Sequence, residues 1–354
     1  MSFDDPTRPP RPGEEVDADR LGAYLRSVRP DLDGPVEIAQ FPSGHSNLTY
    51  LVRVGGEELV LRRPPAGKKP RSGHDMHREW LVLSALRGRF PYVPEPVAYC
   101  EDPAVIGAPF LLMRRIRGLI LRRDLPDGLR LSPERFRTLC ERLVDVHLEL
   151  HSVDPRTPEF EALGRPDGYV ARQIEGWSRR YREARTPDVP DFEEVMAWLE
   201  ANRPPERGVS VIHNDYRFDN VVLDPDDPLR IVGVLDWEMA TIGDPLMDLG
   251  ASLAYWIQAD DPPELEAIRL VPSNHPGAPT RRELVDRYLE RAGIALDDFT
   301  FYRVYGLFRL AGIAQQIYRR YVQGQTADPR FGRLGLAVQV LEAAARRAMV
   351  GEEI

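Results

Sequence analysis

Three oxygen-bearing side chains stand out within residues 209–238, VSVIHNDYRFDNVVLDPDDPLRIVGVLDWE. An apolar run ends in His213-Asn214-Asp215, Asn220 follows Asp215 by five residues, and a second apolar run over residues 231–235 ends in Asp236. Buried strands of this kind would deliver an Asp, an Asn and another Asp to one edge. Such oxygens suit a hard cation such as Mg2+. With Asn220 and Asp236 on the metal, Asp215 is left to orient a hydroxyl nucleophile and accept its proton. The Asp-x-x-x-x-Asn spacing is one used for phosphoryl transfer. Each residue alone has a plainer role open to it, since Asp and Asn also bond the backbone in turns. The combination is what points to chemistry. His213 is expected to brace the loop by hydrogen bonds.

The chain ahead of this stretch reads as a small sheet. Leu21, Leu25 and Val28 give residues 17–29 a helical spacing. Residues 36–41, 48–54 and 57–62 read as strands, the last two joined by Gly55-Gly56, a hairpin turn. Residues 75–86 form a helix with Met76, Trp80, Leu83 and Leu86 near one face and Glu79 on the adjacent one. Residues 93–97 and 109–113 add two strands, giving β-β-β-α-β-β. After Gly118 the pattern turns helical. Ser132-Pro133-Glu134 is an N-cap, a first-position Pro and a first-turn acid. Further helices are expected around Ile174 and Trp177, around Met196 and Leu199, and over residues 253–258, 281–292, 301–323 and 331–349. Tyr302, Tyr305, Phe308, Tyr318 and Tyr321 read as helix core. The expected division is a Pro-rich tail and leading helix over 1–35, an α+β lobe over 36–115 and a mainly helical lobe over 116–354.

A chain of 354 residues exceeds one ordinary core, which fits two lobes. Its net charge of -9 argues against a general nucleic-acid binder. No apolar run approaches the roughly 18–20 residues that span a membrane. The N-terminal residues have no apolar core of the signal-peptide kind, and their prolines read as a mobile tail. Two cysteines, Cys100 and Cys140, suggest no disulfide framework and fit a reducing cytoplasm.

His213-Asn214-Asp215-Tyr216-Arg217-Phe218-Asp219-Asn220, with Leu235-Asp236-Trp237-Glu238 and Gly243-Asp244-Pro245-Leu246-Met247-Asp248-Leu249, resembles the aminoglycoside phosphotransferase and choline kinase superfamily. Ser43-Gly44-His45-Ser46-Asn47-Leu48-Thr49-Tyr50, Leu61-Arg62 and His74-Asp75-Met76-His77-Arg78-Glu79 resemble, within it, the kinase-like domain fused to some acyl-CoA dehydrogenases. The resemblance runs from about residue 36 to about residue 349. It implies a bilobal protein-kinase-like α+β fold, with a small antiparallel-sheet N-lobe carrying one helix and a large, mainly helical C-lobe. It also implies ATP or GTP as co-substrate, with Mg2+. The turn over residues 43–49 would cover the phosphates. It is poor in Gly, so Ser43, Ser46, Asn47 or Thr49 must supplement backbone donors. Arg62 and Glu79 fall where the family has a phosphate-contacting basic residue and its paired helix Glu. Members usually have Lys there; Arg offers a planar fork instead of a point charge. Arg63 is a rival, because neighbours on a strand face opposite ways. Residues 113–117, with Met113 and Arg115, would form the hinge around the base. Asp248 is expected to tie the loop after Asp236 to the catalytic segment.

The acceptor is expected to be a small molecule with a hydroxyl. Aminoglycosides are polycations and need carboxylates in their pocket. Residues 301–354 carry eight Arg, no Lys and four acids, a segment charge of +4 in an acidic chain. A neutral or anionic acceptor is therefore expected, and the resemblance suggests a hydroxyacyl-CoA. Arg309, Arg319 and Arg320 are candidates to meet its phosphates. Three alternatives stand beside this: an aminoglycoside O-phosphotransferase, a catalytically inactive kinase fold that binds a ligand, and a metal-dependent hydrolase, which would usually show more His ligands.

Overall fold

The structure, a computed structural model, describes residues 5–42, 47–65, 75–326 and 328–352. Ser43 and Ser46, expected on the phosphate cover, lie outside these residues. The elements in chain order are α1 (Ala18–Val28), β1 (Glu37–Gln40), β2 (Leu48–Val54), β3 (Glu57–Arg63), α2 (Met76–Leu86), β4 (Pro96–Cys100), α3 (Pro103–Ile106) and β5 (Phe110–Arg114). There follow α4 (Pro133–His151), α5 (Tyr169–Ala184), α6 (Glu193–Ala201), β6 (Ser210–Ile212), β7 (Val221–Leu223), β8 (Ile231–Val234), β9 (Thr241–Gly243) and α7 (Pro245–Leu253). The last four are α8 (Pro263–Glu266), α9 (Arg281–Ala292), α10 (Thr300–Val322) and α11 (Leu334–Met349). Caps set several of these boundaries. Asp75 accepts the His77 and Arg78 amides at the start of α2, Ser132 the Arg135 amide at the start of α4, and Asp244 the Leu246 amide at the start of α7.

The chain folds as two compact units, one of Met1–Ile120, Arg156–Leu163 and Asn220–Ala240, the other of Leu121–Pro155, Gly164–Asp219 and Thr241–Ile354. In the first, an antiparallel sheet runs in the order β1-β2-β3-β5-β4. The β2–β3 hairpin turns at Gly55 and Gly56, whose φ of 58° and 79° glycine adopts without strain. Strand alternation sends Tyr50, Val52, Leu61 and Phe110 into one core with Leu21 and Leu25 of α1. The β7–β8 hairpin belongs to this unit although it follows much of the helical region in sequence. Leu119 and Leu223 exchange backbone hydrogen bonds, and Val234 donates to the Tyr92 carbonyl. This unit therefore reaches past the expected boundary near residue 115.

Several expectations need correction. The leading segment is not a loose tail: Arg8 and Gln40 exchange backbone bonds, and the Glu14 carbonyl accepts from Tyr50 and Arg63. The first unit holds α1 and α3 besides α2. The fourth strand starts at Pro96, because Pro94 and Pro96 cannot donate to a ladder. The helix expected over 253–258 is absent. α7 stops at Leu253, and the Ser273 hydroxyl takes over the Ile257 amide and carbonyl. In α10, Tyr302, Tyr305 and Phe308 are buried core, while Tyr318 and Tyr321 are half-exposed.

In the second unit α10 crosses α7 with glycine against glycine. A Cβ at Gly306 would sit 2.1 Å from the Gly250 carbonyl oxygen, and one at Gly250 would sit 2.3 Å from that of Tyr302. Among the described residues no helix is long and apolar enough to cross a membrane. An alanine in a helix ordinarily gains about 1 kcal/mol over glycine. Here the backbone contact outweighs that, because overpacking costs roughly 1–3 kcal/mol. Gly306→Ala should lower the urea midpoint. Gly176→Ala in α5, whose new Cβ would meet only the end of the Arg180 side chain, should leave it unchanged or raise it. Equal effects would show that the crossing is not tight.

Candidate active site

Alternation along β3 sends its two terminal arginines to opposite faces. Arg63 turns to the α1 side and donates to the Tyr50 hydroxyl and to the carbonyls of Glu14 and Ile106. Arg62 turns to the other side and pairs with three carboxylates: Glu79 of α2, Asp236 Oδ1 at 2.9 Å and Glu238 Oε2 at 3.2 Å. Burial alone would lower the Arg62 pKa. The three acids outweigh it and hold the guanidinium above its ordinary value. Burial also pushes the Glu79 carboxyl up, with Arg62 pulling the other way and Asp236 adding to the push. Asn47 Nδ2 donates to Glu238 Oε2 at 2.7 Å. Thr49 sits opposite Arg62 in the β2–β3 ladder.

The β7–β8 hairpin explains why Asn220 and Asp236 share one end. Val221 pairs with Val234, so Asn220 stands opposite Leu235, whose amide donates to the Asn220 carbonyl at 2.8 Å. Asp236 is the next residue. Its φ of 67° and ψ of 62° lie in the left-handed region, which costs a non-glycine residue about 1–2 kcal/mol. The following residue holds it there: Trp237 is fully buried, donates its indole N–H to the Val234 carbonyl and meets Phe90 edge-on. Strain maintained this way is common at functional sites.

Met113 is buried in the sheet opposite Val60. The Arg115 amide donates to the Glu58 carbonyl and its guanidinium pairs with the Glu58 carboxylate. Burial works to raise the Glu58 pKa, but Arg117, Arg115 and Arg53 together hold it down to about 2. The strand exit at 113–117 is thereby held by charge.

In the second unit the loop after β6 is tied to one buried carboxylate. Asp248 of α7 accepts the His213 amide on Oδ2 and the Asn214 amide on Oδ1, each at 2.7 Å. His147 and His151, one turn apart on α4, bring Nε2 atoms to Asp248 Oδ2 at 3.0 and 3.1 Å. His151 Nδ1 lies 2.6 Å from the Tyr288 hydroxyl. Asn214 is left-handed, with φ of 65°, and its carbonyl accepts from the buried Arg309. The Asp215 amide donates to His213 Nδ1, the bracing expected of that histidine. Asp215 Oδ1 accepts the Tyr255 hydroxyl at 3.2 Å and lies 3.4 Å from Arg217 Nε. Tyr255 follows the early end of α7. In that same stretch Ser252 donates to the Tyr216 carbonyl and Trp256 stacks on Phe218. Three side chains of one short segment therefore hold the loop.

Arg62, Glu79, Asp236, Asn47 and Thr49 thus fall together in the first unit, with Asn220 beside Asp236. Asp215 lies in the second unit with its own supports. Arg309 departs from expectation: it is buried, bonded to Asn214 and laid over Trp177, so it does not offer a surface charge to phosphates. Five contributors were missed. Glu238 ends a motif whose spacing assigns it no role, Arg217 lies in a loop, Tyr255 falls in the segment expected to be helical, and His147 and His151 lie within α4. The i, i+4 spacing of the two histidines was the available clue.

Residues 37–296 match the model of a family described as the phosphotransferase enzyme family. The chain is 34% identical over 325 residues to mouse acyl-CoA dehydrogenase family member 10, covering 91% of this chain and 30% of that protein. It therefore spans less than a third of that relative. A crystal structure from Ralstonia eutropha JMP134, of a protein assigned as an aminoglycoside phosphotransferase, superposes with a TM-score of 0.80 at 29% identity. The match covers 95% of this chain and 99% of that one. The GDP complex of aminoglycoside 2'-phosphotransferase-IIIa has a TM-score of 0.60 at 19% identity, covering 93% and 99%. The kinase-like fold expected from the sequence is the fold observed.

Burial of His147 makes stability depend on pH. Burial first, and then the neighbouring His151, lower the His147 pKa to about 4 against the pull of Asp248. An unfolded imidazole titrates near 6.5. Below about pH 6.5 the unfolded chain takes up a proton that the folded chain refuses until about pH 4. Stability should therefore fall with pH through that window, by up to about 3 kcal/mol. Asp248, held well below the ordinary carboxylate range, adds its own loss only beneath about pH 4. Urea unfolding from about pH 7 to about pH 4 should show a shallower slope in His147→Gln than in wild type. Parallel slopes would remove His147 from the account.

Proposed function

Because the chain belongs to the phosphotransferase enzyme family, we propose that it moves the γ-phosphoryl group of ATP or GTP to a hydroxyl of a small molecule. The observation that carries this is the charge balance at Arg62. Among the described residues, the Arg62 guanidinium pairs with Glu79, Asp236 and Glu238, one formal positive charge against three negative, at a cluster whose Asp236 side chain is 38% exposed. A divalent cation matches that excess, and carboxylate with amide oxygen is the donor set Mg2+ prefers. Asp236 and Asn220 would hold it, and the bound ion would neutralise charge on the phosphates. Arg62, held by Glu79, would meet a phosphate oxygen. Asn47 and Thr49, with Ser43 and Ser46, would line the phosphate cover, and the backbone at Met113 and Arg115 would take the base. Nucleotide use is supported by the GDP complex of the 2'-phosphotransferase-IIIa neighbour.

Asp215 would orient the acceptor hydroxyl. As the new O–P bond forms and the bond to the departing nucleoside diphosphate breaks, the hydroxyl proton would pass to its carboxylate. A short, braced loop suits that task because little reorganisation remains when the acceptor arrives.

For the acceptor we favour a neutral or anionic molecule, in the finer form a hydroxyacyl-CoA. Arg319 and Arg320 line a cavity of about 380 Å3 in the second unit with Arg180 and Glu183, three cations against one acid, which favours anions. The relative's acyl-CoA dehydrogenase name points the same way. The second reading, an aminoglycoside O-phosphotransferase, draws on the assignment of the Ralstonia protein. Against an inactive fold stand the retained Asp215, Asn220 and Asp236. The reaction is expected to take place in the cytoplasm.

Calorimetry with Mg2+ and ATP or GTP, followed by turnover with an acceptor panel, tests this. Wild type should bind the metal–nucleotide. Asp236→Ala should bind it at least tenfold more weakly, on the order of 1.4 kcal/mol. Asp215→Ala should still bind it and lose roughly 10²–10⁴-fold in kcat. Absence of Mg2+-nucleotide binding by wild type would end the phosphotransferase reading. Turnover of kanamycin-type amines alone would end the hydroxyacyl one.

A further inference from the structure

Asp215 shares its carboxylate with a cation. Arg217 Nε lies 3.4 Å from Asp215 Oδ1 and 2.9 Å from Asp219 Oδ1, bridging the two acids. Its guanidinium lies over the Tyr255 ring, 4.4 Å from the centroid, while the Tyr255 hydroxyl donates to Asp215 Oδ1. Burial raises the Asp219 carboxyl, with Arg217 and then Arg122 pulling it down and Asp215 pushing it up. Two acids and two arginines thus sit together on this side of the second unit. Arg217 and Asp215 both keep about a fifth of their side-chain surface exposed, so a small molecule reaching one meets the other.

An acceptor that presents its hydroxyl to Asp215 must lay the atoms next to that hydroxyl alongside Arg217. An ammonium group there would face a guanidinium and find the carboxylate already compensated. An anionic oxygen would find a planar donor fork. We propose that Arg217 is a specificity-determining residue: it selects acceptors carrying a hydrogen-bond-accepting oxygen, a carboxylate or an acyl carbonyl, close to the reacting hydroxyl and rejects those carrying an amine there. Tyr255 is the positioning residue for both, its ring supporting the guanidinium and its hydroxyl fixing Asp215. This inference rests on the phosphotransferase reading of Asp215.

The test compares three acceptors of one carbon skeleton, hydroxybutyrate, the matching butanediol and the matching aminobutanol, by kcat/KM with Mg2+ and ATP. Wild type should rank them in that order. Arg217→Gln should shrink the hydroxybutyrate-to-aminobutanol ratio on the order of tenfold, and Arg217→Lys should keep part of it. Tyr255→Phe should lower kcat for all three with a smaller change in the ratio. A wild type that favours aminobutanol, or an Arg217→Gln enzyme that loses all three equally, overturns the proposal. Failure of the underlying reading looks different: wild type would release no ADP with any acceptor or with water alone. NMR titration of the three compounds into wild type and Arg217→Gln then still decides the matter, because charge preference in binding needs no turnover.

Discussion

The Asp248 carboxylate is fully buried and ionised, and a buried charge is tolerable only where donors surround it. Here the donors are two backbone amides and two imidazoles. The amides belong to His213 and Asn214, the residues just ahead of Asp215. The demand of one charge for hydrogen bonds therefore sets the backbone path of the loop. Asn214 reaches its partner in a left-handed conformation, and Arg309 takes up the carbonyl that this conformation turns inward. The requirement extends further, since α4 must present His147 and His151 one turn apart and α9 must bring Tyr288 to His151.

The first unit solves the converse problem. Its buried charge is a cation, Arg62, and its partners come from α2 and from the segment after β8. Removing one partner of such a set strands the others, which is why an arrangement of this kind is rigid rather than merely attractive. The surplus of carboxylates is unfavourable by itself. Under the proposed phosphotransferase reading a divalent cation with its polyphosphate would compensate it, and a cluster tuned to a ligand in this way would sacrifice stability for function.

Much of this was legible in the amino acids. The hairpin at Gly55-Gly56 and the Ser132-Pro133 helix start are local, and local turn and cap chemistry depends on near neighbours alone. The spacing of Asp215, Asn220 and Asp236 was equally plain, because a short loop and a tight hairpin leave few ways to place them. The segment after Leu253 was misread because its helical pattern was local while the competing partners, Ser273 and the Pro279 carbonyl, lay far along the chain. The proline-bearing tail was misread for the same reason, its partners being Gln40, Tyr50 and Arg63.

By itself, then, the sequence determined the sheet-then-helix order, the residue types of the proposed phosphoryl-transfer site and the placing of Asn220 and Asp236 at one end of a hairpin, since each follows from contacts within a few residues or one hairpin. Only the tertiary structure decided that Arg62 rather than Arg63 meets Glu79, that Glu238 and Asn47 join it, and that Arg309 is interior. The same holds for Tyr255 and Arg217 closing around Asp215. The physical reason is that a charge or hydroxyl takes whichever partner the packing of distant elements brings within about 3 Å, and sequence spacing does not encode that distance.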